Sequence, residues 1–489
     1  MLYFLRKHAG TILIATLFFF LTPILFYGIR YGRSQSSRPS SRSAKKLNKA
    51  FIATIDGEPI NRFKYSQVVS HLTKQVQAAG KDVDPYMLAA IQYNALMQTI
   101  EYHFTLKRAK QDNIKVSSRE INRQIEAIAQ SNKLTVKDLK NTVNTDGYGW
   151  KNFKQNIKDE LTISKFFRKY ENQVSITEED IDLSLTTLRA RHILISEKDP
   201  FIASKNAWEI LRRAKSGENF SNLAKNYSID TYSAKKGGDL GWFSHGTMVP
   251  EFEKAAASLL PGEIYPTPLK TQFGYHIIKL IDFKKEDLPI NMDEATYRKN
   301  LLDKKKQKFI DNLIAPIRNN AEVEILSDLH LAYKFQTEGN YDKAIIKYKT
   351  LIAENPRSYI PYLFIGDLYV QQGKFEEALA AYEKAQVIQN LNPETKNSLI
   401  YIAKGNAFKY QGDLAKDKKQ YNLSRSLYQK AGQQFIQASK LAKDNLSVHK
   451  QLKEIFKEIG WNKFAHKEDL EIKRIIRAQE AAKQEEKER

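Results

Sequence analysis

The 489-residue sequence contains no cysteine. Disulfide scaffolds, thiol nucleophiles, zinc ribbons and iron–sulfur clusters are therefore excluded together. The sequence also lacks the phosphate-binding pattern G-x-x-x-x-G-K-[ST], the zinc-protease pattern H-E-x-x-H and the hydrolase pattern G-x-S-x-G. Because no pattern points to a metal or an organic cofactor, we expect neither.

The sequence has fewer acidic than basic residues. It contains 56 aspartates and glutamates and 78 lysines and arginines, which gives a formal charge of +22. Hydrophobic residues at 42% and charged residues at 27% are typical of folded material, and the length predicts about three domains. The basic residues are spread through every segment, and no basic recognition helix or aromatic-interleaved RNA motif is present. We therefore expect no nucleic-acid partner.

One long run near the N-terminus, residues 9–29, carries no charge. As a helix it would be about 31 Å long, which is enough to cross a hydrocarbon core. It has no small-residue cleavage site, so the sequence predicts an uncleaved transmembrane anchor rather than a signal peptide. Residues 30–47, rich in serine and arginine, predict a linker that either lies along an anionic membrane surface or only solubilises the chain.

The orientation of this anchor is in conflict with its flanking charges. Two basic residues precede the run, and seven follow it without an acidic residue among them: Arg30, Arg33, Arg38, Arg42, Lys45, Lys46 and Lys49. The positive-inside rule would place the large C-terminal portion in the cytoplasm. The motifs further along the chain favour the opposite side.

Residues 48–186 have the periodicity of helices, with one short strand at residues 51–55. Ser117 and Glu120 have the spacing of a capping box and predict the start of one of these helices. No catalytic or ligand-binding pattern lies in this segment, which we interpret as a helical domain.

Four motifs follow one another between residues 187 and 284. They are R-A-R-H-I-L, F-S-N-L-A-K-N-Y-S, G-G-D-L-G-W-F and F-G-Y-H-I-I-K-L. The first and the last alternate as strands do and carry His192 and His276. In this order the motifs closely resemble the parvulin family of peptidyl-prolyl cis–trans isomerases. The resemblance implies a parvulin α/β domain over residues 187–284, with a four-stranded antiparallel sheet flanked by helices.

The same resemblance implies the site residues. The catalytic cluster would be His192, Asp230, Thr271 and His276. The proline pocket would be Leu240, Met248 and Phe252, with Phe273 at its edge. Residues 196–199 carry no basic cluster, so recognition of phosphoserine-proline is not expected.

The reaction itself needs little acid–base chemistry. An X–Pro bond crosses a barrier of ~18–20 kcal/mol because amide resonance must be broken. An apolar pocket that holds the proline ring and favours a twisted amide lowers this barrier without a covalent step. A second interpretation stays open, in which the two histidines only satisfy each other in a catalytically silent domain.

Residues 53–60 resemble the V-N-G-x-x-I entry to the chaperone domain of the SurA, PpiD and PrsA class. In that class the isomerase is inserted into a helical domain that binds clients. The resemblance therefore implies an N-terminal chaperone domain over residues 48–186 and a returning helix within residues 290–322.

A 34-residue period begins near Leu329. It relates Gly339 to Gly373, Ala344 to Ala378 and Tyr348 to Tyr382. This pattern matches tetratricopeptide repeats and predicts an α-helical solenoid over residues 325–442. In its third unit Gly412 would align with the turn glycines, and about 14 residues would be inserted after it. The remainder, residues 443–489, predicts a charged helical tail.

The sequence as a whole predicts a multidomain α+β protein that acts as a prolyl isomerase and folding chaperone for exported proteins. It would be held by a single span in the inner (cytoplasmic) membrane, near the export machinery, with its C-terminal domains in the periplasm or extracytoplasmic space. Its partners would be unfolded, proline-containing polypeptides, and a translocon or other membrane protein bound by the repeats. The alternative is a silent parvulin-fold adaptor whose repeats assemble a membrane or envelope complex.

Overall fold

A computed structural model describes residues 51–145, 149–391 and 398–488. The predicted anchor at residues 9–29 and the linker at residues 30–47 lie outside these ranges. Among the described residues, no helix is both long enough and apolar enough to cross a membrane. The described chain divides into two compact units, one of residues 164–315 and the other of residues 51–163 with 316–488.

The N-terminal segment is helical apart from two very short strands. Its elements are β1 (Ala53–Ile55), β2 (Glu58–Pro59), α1 (Arg62–Ala78), α2 (Pro85–Gln111), α3 (Ser118–Ser131), α4 (Val136–Thr145) and α5 (Trp150–Glu171). The predicted capping box starts α3, since the Ser117 hydroxyl accepts from the Glu120 backbone and the Glu120 carboxylate accepts from the Ser117 backbone. Buried apolar side chains of α3, α4 and α5 form one cluster, including Ile128, Leu139 and Phe153.

The next segment contains the predicted four-stranded antiparallel sheet, in the order β4-β3-β6-β5. Its elements are α6 (Glu178–Ser184), β3 (Thr186–Ile195), α7 (Pro200–Lys215), α8 (Phe220–Tyr227), α9 (Thr231–Ala234), β4 (Asp239–Ser244), α10 (Pro250–Ala257), β5 (Leu269–Thr271) and β6 (Gly274–Lys285). Both faces of the sheet are covered. Ile277 packs in a cluster with α7 and α8, and its neighbour Ile278 packs in another cluster with α10.

The chain then returns to the N-terminal segment through α11 (Glu294–Asn320) and β7 (Val323–Ile325). Strand β7 pairs antiparallel with β1, and Glu324 lies opposite Thr54. The parvulin-like segment is therefore inserted between two strands of one small sheet. The first half of α11 is tied to α6 by ion pairs from Arg298 to Glu178 and from Lys305 to Asp180.

In the described part of the chain beyond β7, eight further helices follow as four consecutive pairs. They are α12 (Asp328–Thr337), α13 (Tyr341–Glu354), α14 (Ile360–Gln371), α15 (Phe375–Asn390), α16 (Leu399–Asp417), α17 (Tyr421–Ala442), α18 (Leu446–Glu458) and α19 (Asn462–Glu488). Between the two helices of each pair, one residue has a positive φ: Gly339, Gly373, Lys419 and Gly460. The period of the sequence thus corresponds to a repeated helix–turn–helix unit.

The alignment of Gly412 with the turn glycines is wrong. Gly412 lies inside α16, and Lys419 occupies the turn with a φ of 60°. A Cβ at Gly412 would be 2.7 Å from the ring of Tyr428, just as one at Gly366 would be 2.3 Å from the ring of Tyr382. This glycine therefore serves close helix packing and not a left-handed turn, a difference that the residue type alone does not reveal.

The helix pairs also continue beyond residue 442, where the sequence predicts only a charged tail. Helices α18 and α19 share a core in which Leu452 and Phe456 are fully buried. Charged residues on the outer faces of both helices conceal this apolar spacing in the sequence.

The first two helix pairs pack against α2 of the N-terminal segment. The ring of Tyr86 lies 5.2 Å from that of Phe364, and the ring of Tyr93 lies 5.3 Å from that of Tyr333. Ala89 is buried between them. This face of the helix pairs is therefore covered by the chain itself.

Candidate active site

The two histidines of the predicted cluster come from neighbouring strands. His192 on β3 lies opposite Ile278, and His276 on β6 lies opposite Leu194, so the two side chains are diagonal neighbours on one face of the sheet. Their Nδ1 atoms are 3.2 Å apart, and their rings stack with centroids 5.4 Å apart. Both side chains are buried, with 6% and 5% of their surface exposed.

Asp230 closes one end of this pair. It is the N-cap of the short helix α9, and its Oδ2 atom accepts from His192 Nε2 at 2.8 Å. The fully buried hydroxyl of Ser233 donates to the same oxygen at 2.5 Å. Ser233 is a member of the cluster that the motifs do not predict. The only available signal is its position three residues after a capping aspartate.

Thr271 closes the other end. Its Oγ1 atom lies 2.8 Å from His276 Nε2 and accepts from the Phe273 backbone N–H at 3.1 Å. The tautomers follow once Asp230 is a carboxylate, because an ionised oxygen can only accept and so fixes the direction of each bond that follows. Thr271 donates to His276 Nε2, His276 Nδ1–H donates to His192 Nδ1, and His192 Nε2–H donates to Asp230. The four side chains thus form one hydrogen-bonded chain with a single direction.

The electrostatics agree with this assignment. Burial lowers the pKa of His192, although the Asp230 carboxylate opposes the shift. Burial, reinforced by the neighbouring His192, lowers the pKa of His276 to about 4. Burial alone would raise the pKa of Asp230, but the hydrogen bonds from Ser233 and His192 outweigh it and hold the pKa below its usual range. At neutral pH the site therefore holds two neutral imidazoles and one carboxylate.

An apolar wall stands beside the polar chain. Phe252, of which only 2% is exposed, meets both imidazoles edge-on, with ring centroids 5.8 Å from His192 and 5.5 Å from His276. Leu240 and Met248 are half-buried and pack against the same cluster as Phe252. Phe273 is 56% exposed and lies at the rim. All eight predicted site residues line one groove of about 720 Å³.

The groove has further lining residues that no motif contains. Lys308 and Asn312 reach it from α11, and Thr247 and Lys270 line it from the loops and strands of the sheet. The sequence predicts the helix α11 but not its contribution to the groove, because its lysines follow the pattern of an ordinary solvated helix face. The arrangement holds a polar floor, an apolar wall and a charged rim that carries Lys270, Lys308 and Glu251. It suits non-covalent binding of an apolar ring next to an amide.

Comparisons with known proteins identify the family of this segment and of the N-terminal segment. Residues 192–282 match the family model of the PPIC-type PPIASE domain, and residues 1–167 match that of the SurA-like N-terminal domain. The foldase protein PrsA of Caldanaerobacter subterraneus subsp. tengcongensis is 34% identical over 275 residues, which cover 53% of this chain and 81% of that protein. The chaperone SurA of Nitrosococcus oceani is 24% identical over 403 residues, which cover 57% of this chain and 94% of that protein.

A solved structure of the peptidylprolyl isomerase PrsA from Bacillus anthracis aligns over 45% of this chain and 97% of its own, with 29% identity and a TM-score of 0.25. The family model and the two relatives above show a parvulin-type peptidyl-prolyl isomerase that is also a folding chaperone. The chain belongs to the SurA- and PrsA-like family of foldases.

Proposed function

We propose that this protein is a membrane-tethered foldase that isomerises X–Pro bonds in exported polypeptides. The observation that carries the proposal is the groove, in which a directional Asp230–His192–His276–Thr271 chain faces the apolar wall around Phe252. In this proposal the proline ring binds against Leu240, Met248 and Phe252, and Phe273 covers the flanking residue. The carbonyl before the proline then lies over the polar floor.

The chemistry follows from amide resonance. A planar amide is more dipolar than a twisted one, so transfer to an apolar wall weakens the preference for planarity. The four hydrogen-bonded side chains provide a rigid polar surface and do not transfer a proton, because their donors and acceptors already satisfy one another. Its rigidity would hold the amide in a single orientation while the carbonyl rotates.

The roles of the residues are tested with the full chain and an unphosphorylated X–Pro peptide. Asp230→Ala and His276→Ala should each reduce kcat/KM at least about tenfold, since each removes one of the four hydrogen-bonded side chains. Lys225→Ala, which changes an exposed residue on α8, is the matched control and should leave the rate unchanged. Circular dichroism should show that all three variants stay folded. Equal rates in all of them would refute the proposed roles.

A second function is favoured by one feature of the same site. Each ring nitrogen of His192 and His276 already has a partner within the protein, which is also what a purely structural histidine pair requires. In that case the domain is a silent peptide-binding module within an adaptor. The discriminating result is an X–Pro peptide that binds in the groove while its exchange rate stays at the uncatalysed value.

The location is proposed from the sequence. The uncharged run over residues 9–29 supports a single span, and kinship with PrsA and SurA favours an extracytoplasmic site for the rest of the chain. External protease should digest residues 51–488 once any outer barrier is opened and the inner membrane is intact. Protection until the inner membrane is lysed would show the opposite orientation, as the flanking charges indicate.

The four helix pairs support an assignment as tetratricopeptide repeats, which would recruit a translocon or another membrane protein. The face that α2 covers is not available for such a partner. A partner would have to use a face that α2 leaves uncovered, and we take that of the later pairs, where the exposed side chains include Tyr410 and Leu423. Tyr410→Ala should reduce co-purification of a membrane partner without changing the melting temperature. No loss of any membrane protein would leave the repeats as a spacer.

A further inference from the structure

One wall of the groove is a loop with no regular secondary structure. Residues 245–249 connect β4 to α10, and Thr247, Met248 and Val249 from this loop line the groove. The Thr247 N–H donates to the Ser244 carbonyl at 3.2 Å, but the loop has no ladder of backbone hydrogen bonds, so a further group must hold the rest of it.

That group is the side chain of Glu253 on α10. The carboxylate accepts from the Gly246 backbone N–H at 2.8 Å and 3.1 Å, from the Met248 backbone N–H at 2.9 Å and from His245 Nδ1 at 3.0 Å. Glu253 is one of the most deeply buried acidic side chains among the described residues, with 1% of its surface exposed. Three of the five residues of the loop are thus bonded to one buried carboxylate.

The carboxylate is ionised at neutral pH. Burial would raise the pKa of Glu253, but the hydrogen bonds from His245, Gly246 and Met248 outweigh burial and keep the pKa below its usual range. A buried anion held by this many donors is a strong local constraint, because charge-assisted hydrogen bonds are about twice as strong as neutral ones. The loop cannot move away without leaving a buried charge unpaired.

We propose that Glu253 is a positioning residue for the isomerase: its buried carboxylate holds the 245–249 loop so that Met248 forms the wall of the proline pocket before a client binds. The inference rests on the proposed role of Met248 in the proline pocket. Glu253 does not line the groove and so does not itself touch the client. It acts through the backbone N–H of Met248.

The kinetic consequence follows from pre-organisation. Without the carboxylate the loop samples other conformations, and only a fraction of molecules has the pocket formed. The apparent KM then rises by the inverse of that fraction, while kcat changes little because the bound state is the same. A residue that only supported the fold would instead lower the melting temperature and leave the KM of the folded molecules unchanged.

Two substitutions of Glu253 distinguish the effect of side-chain length from the effect of charge. Glu253→Gln keeps an oxygen that can accept from Gly246 and Met248, and its NH2 can donate to His245 Nδ1 in the other tautomer. We expect a KM within about twofold of the wild type. Glu253→Asp keeps the charge, but its shorter side chain withdraws the oxygens from the loop. We expect its KM for an X–Pro peptide to rise about tenfold, with kcat within about twofold.

The full chain is used for a double-mutant cycle with Met248→Ala. If Glu253 acts through Met248, the Glu253→Asp and Met248→Ala double variant should be no worse than the worse single variant. Lys254→Ala, an exposed neighbour on the same helix, is the control and should match the wild type. The peptide Kd is measured in parallel, so that positioning is tested even if the wild type binds the peptide without isomerising it.

Three results would overturn the inference. A wild-type KM and Kd in Glu253→Asp would show that the loop does not depend on this carboxylate. Additive effects of Glu253→Asp and Met248→Ala would show that the two side chains act independently. A KM in Lys254→Ala raised as much as that in Glu253→Asp would show that the effect does not come from this carboxylate. If the wild type binds the peptide normally but does not accelerate exchange, the proposed catalysis is contradicted. The positioning role of Glu253 is then judged from the Kd values of the variants.

Discussion

Lowering the pH from about 6.5 to 4 should destabilise the unit that contains the groove, because its two histidines are buried in their neutral form. An unfolded histidine takes up a proton near pH 6.5, whereas the pKa of His276 in the folded protein is about 4. Between these values the unfolded state binds more protons than the native state, so acidification favours unfolding. The full difference between a pKa of about 6.5 and one of about 4 is worth ~3.4 kcal/mol, of which ~3 kcal/mol is lost by pH 4, where the native His276 is itself half protonated.

The assay is urea unfolding of the full chain between pH 7.5 and 4, followed by the near-ultraviolet signal and compared with His276→Gln. Glutamine has no proton to gain, so the variant should lose ~3 kcal/mol less than the wild type over this range. The difference between the two proteins cancels other groups, including His330 in the other unit, whose pKa burial also lowers to about 4. Identical pH profiles in the wild type and the variant would refute the assignment of a buried neutral His276.

Three further outcomes are expected. Thr271→Val leaves His276 Nε2 buried without its donor, so it should destabilise the unit by ~1–3 kcal/mol and reduce kcat/KM, as chemical denaturation and peptide exchange would show. Gly366→Ala places a methyl group against the ring of Tyr382 and should cost ~1–3 kcal/mol in thermal unfolding, whereas alanine at an exposed lysine should cost nothing measurable. Lys308→Glu reverses a charge at the rim of the groove, and its effect on KM should be largest for peptides with an acidic residue next to the proline and should fade with added salt.

The parts of the site that follow from the sequence are those that local motifs encode. The alternation in R-A-R-H-I-L and F-G-Y-H-I-I-K-L places His192 and His276 on strands, and the resemblance to parvulins implies one sheet for these strands, which are neighbours in the structure. The apolar residues of the pocket lie within or close to the same motifs. For this reason all eight predicted side chains line one groove.

The parts of the site that the sequence does not predict depend on contacts between residues far apart in the sequence or on burial, which no local pattern contains. Ser233 matters because a short helix turns its hydroxyl onto Asp230, and Lys308 matters because ion pairs hold α11 beside α6. Glu253 sits in an ordinary helical pattern, and only its burial under the loop reveals four hydrogen bonds. The wrong register at Gly412 has a similar cause, because a glycine in a turn and a glycine under an aromatic ring look identical in a sequence.

The central claim is that the groove accelerates rotation about X–Pro bonds. The most direct measurement is two-dimensional exchange NMR of an unphosphorylated X–Pro peptide with a catalytic amount of the full chain at pH 7. The account predicts cis–trans exchange well above the uncatalysed rate, which takes tens to hundreds of seconds, and return to that rate with Asp230→Ala. Chemical-shift changes that show the peptide bound in the groove, with exchange still at the uncatalysed rate, would contradict it.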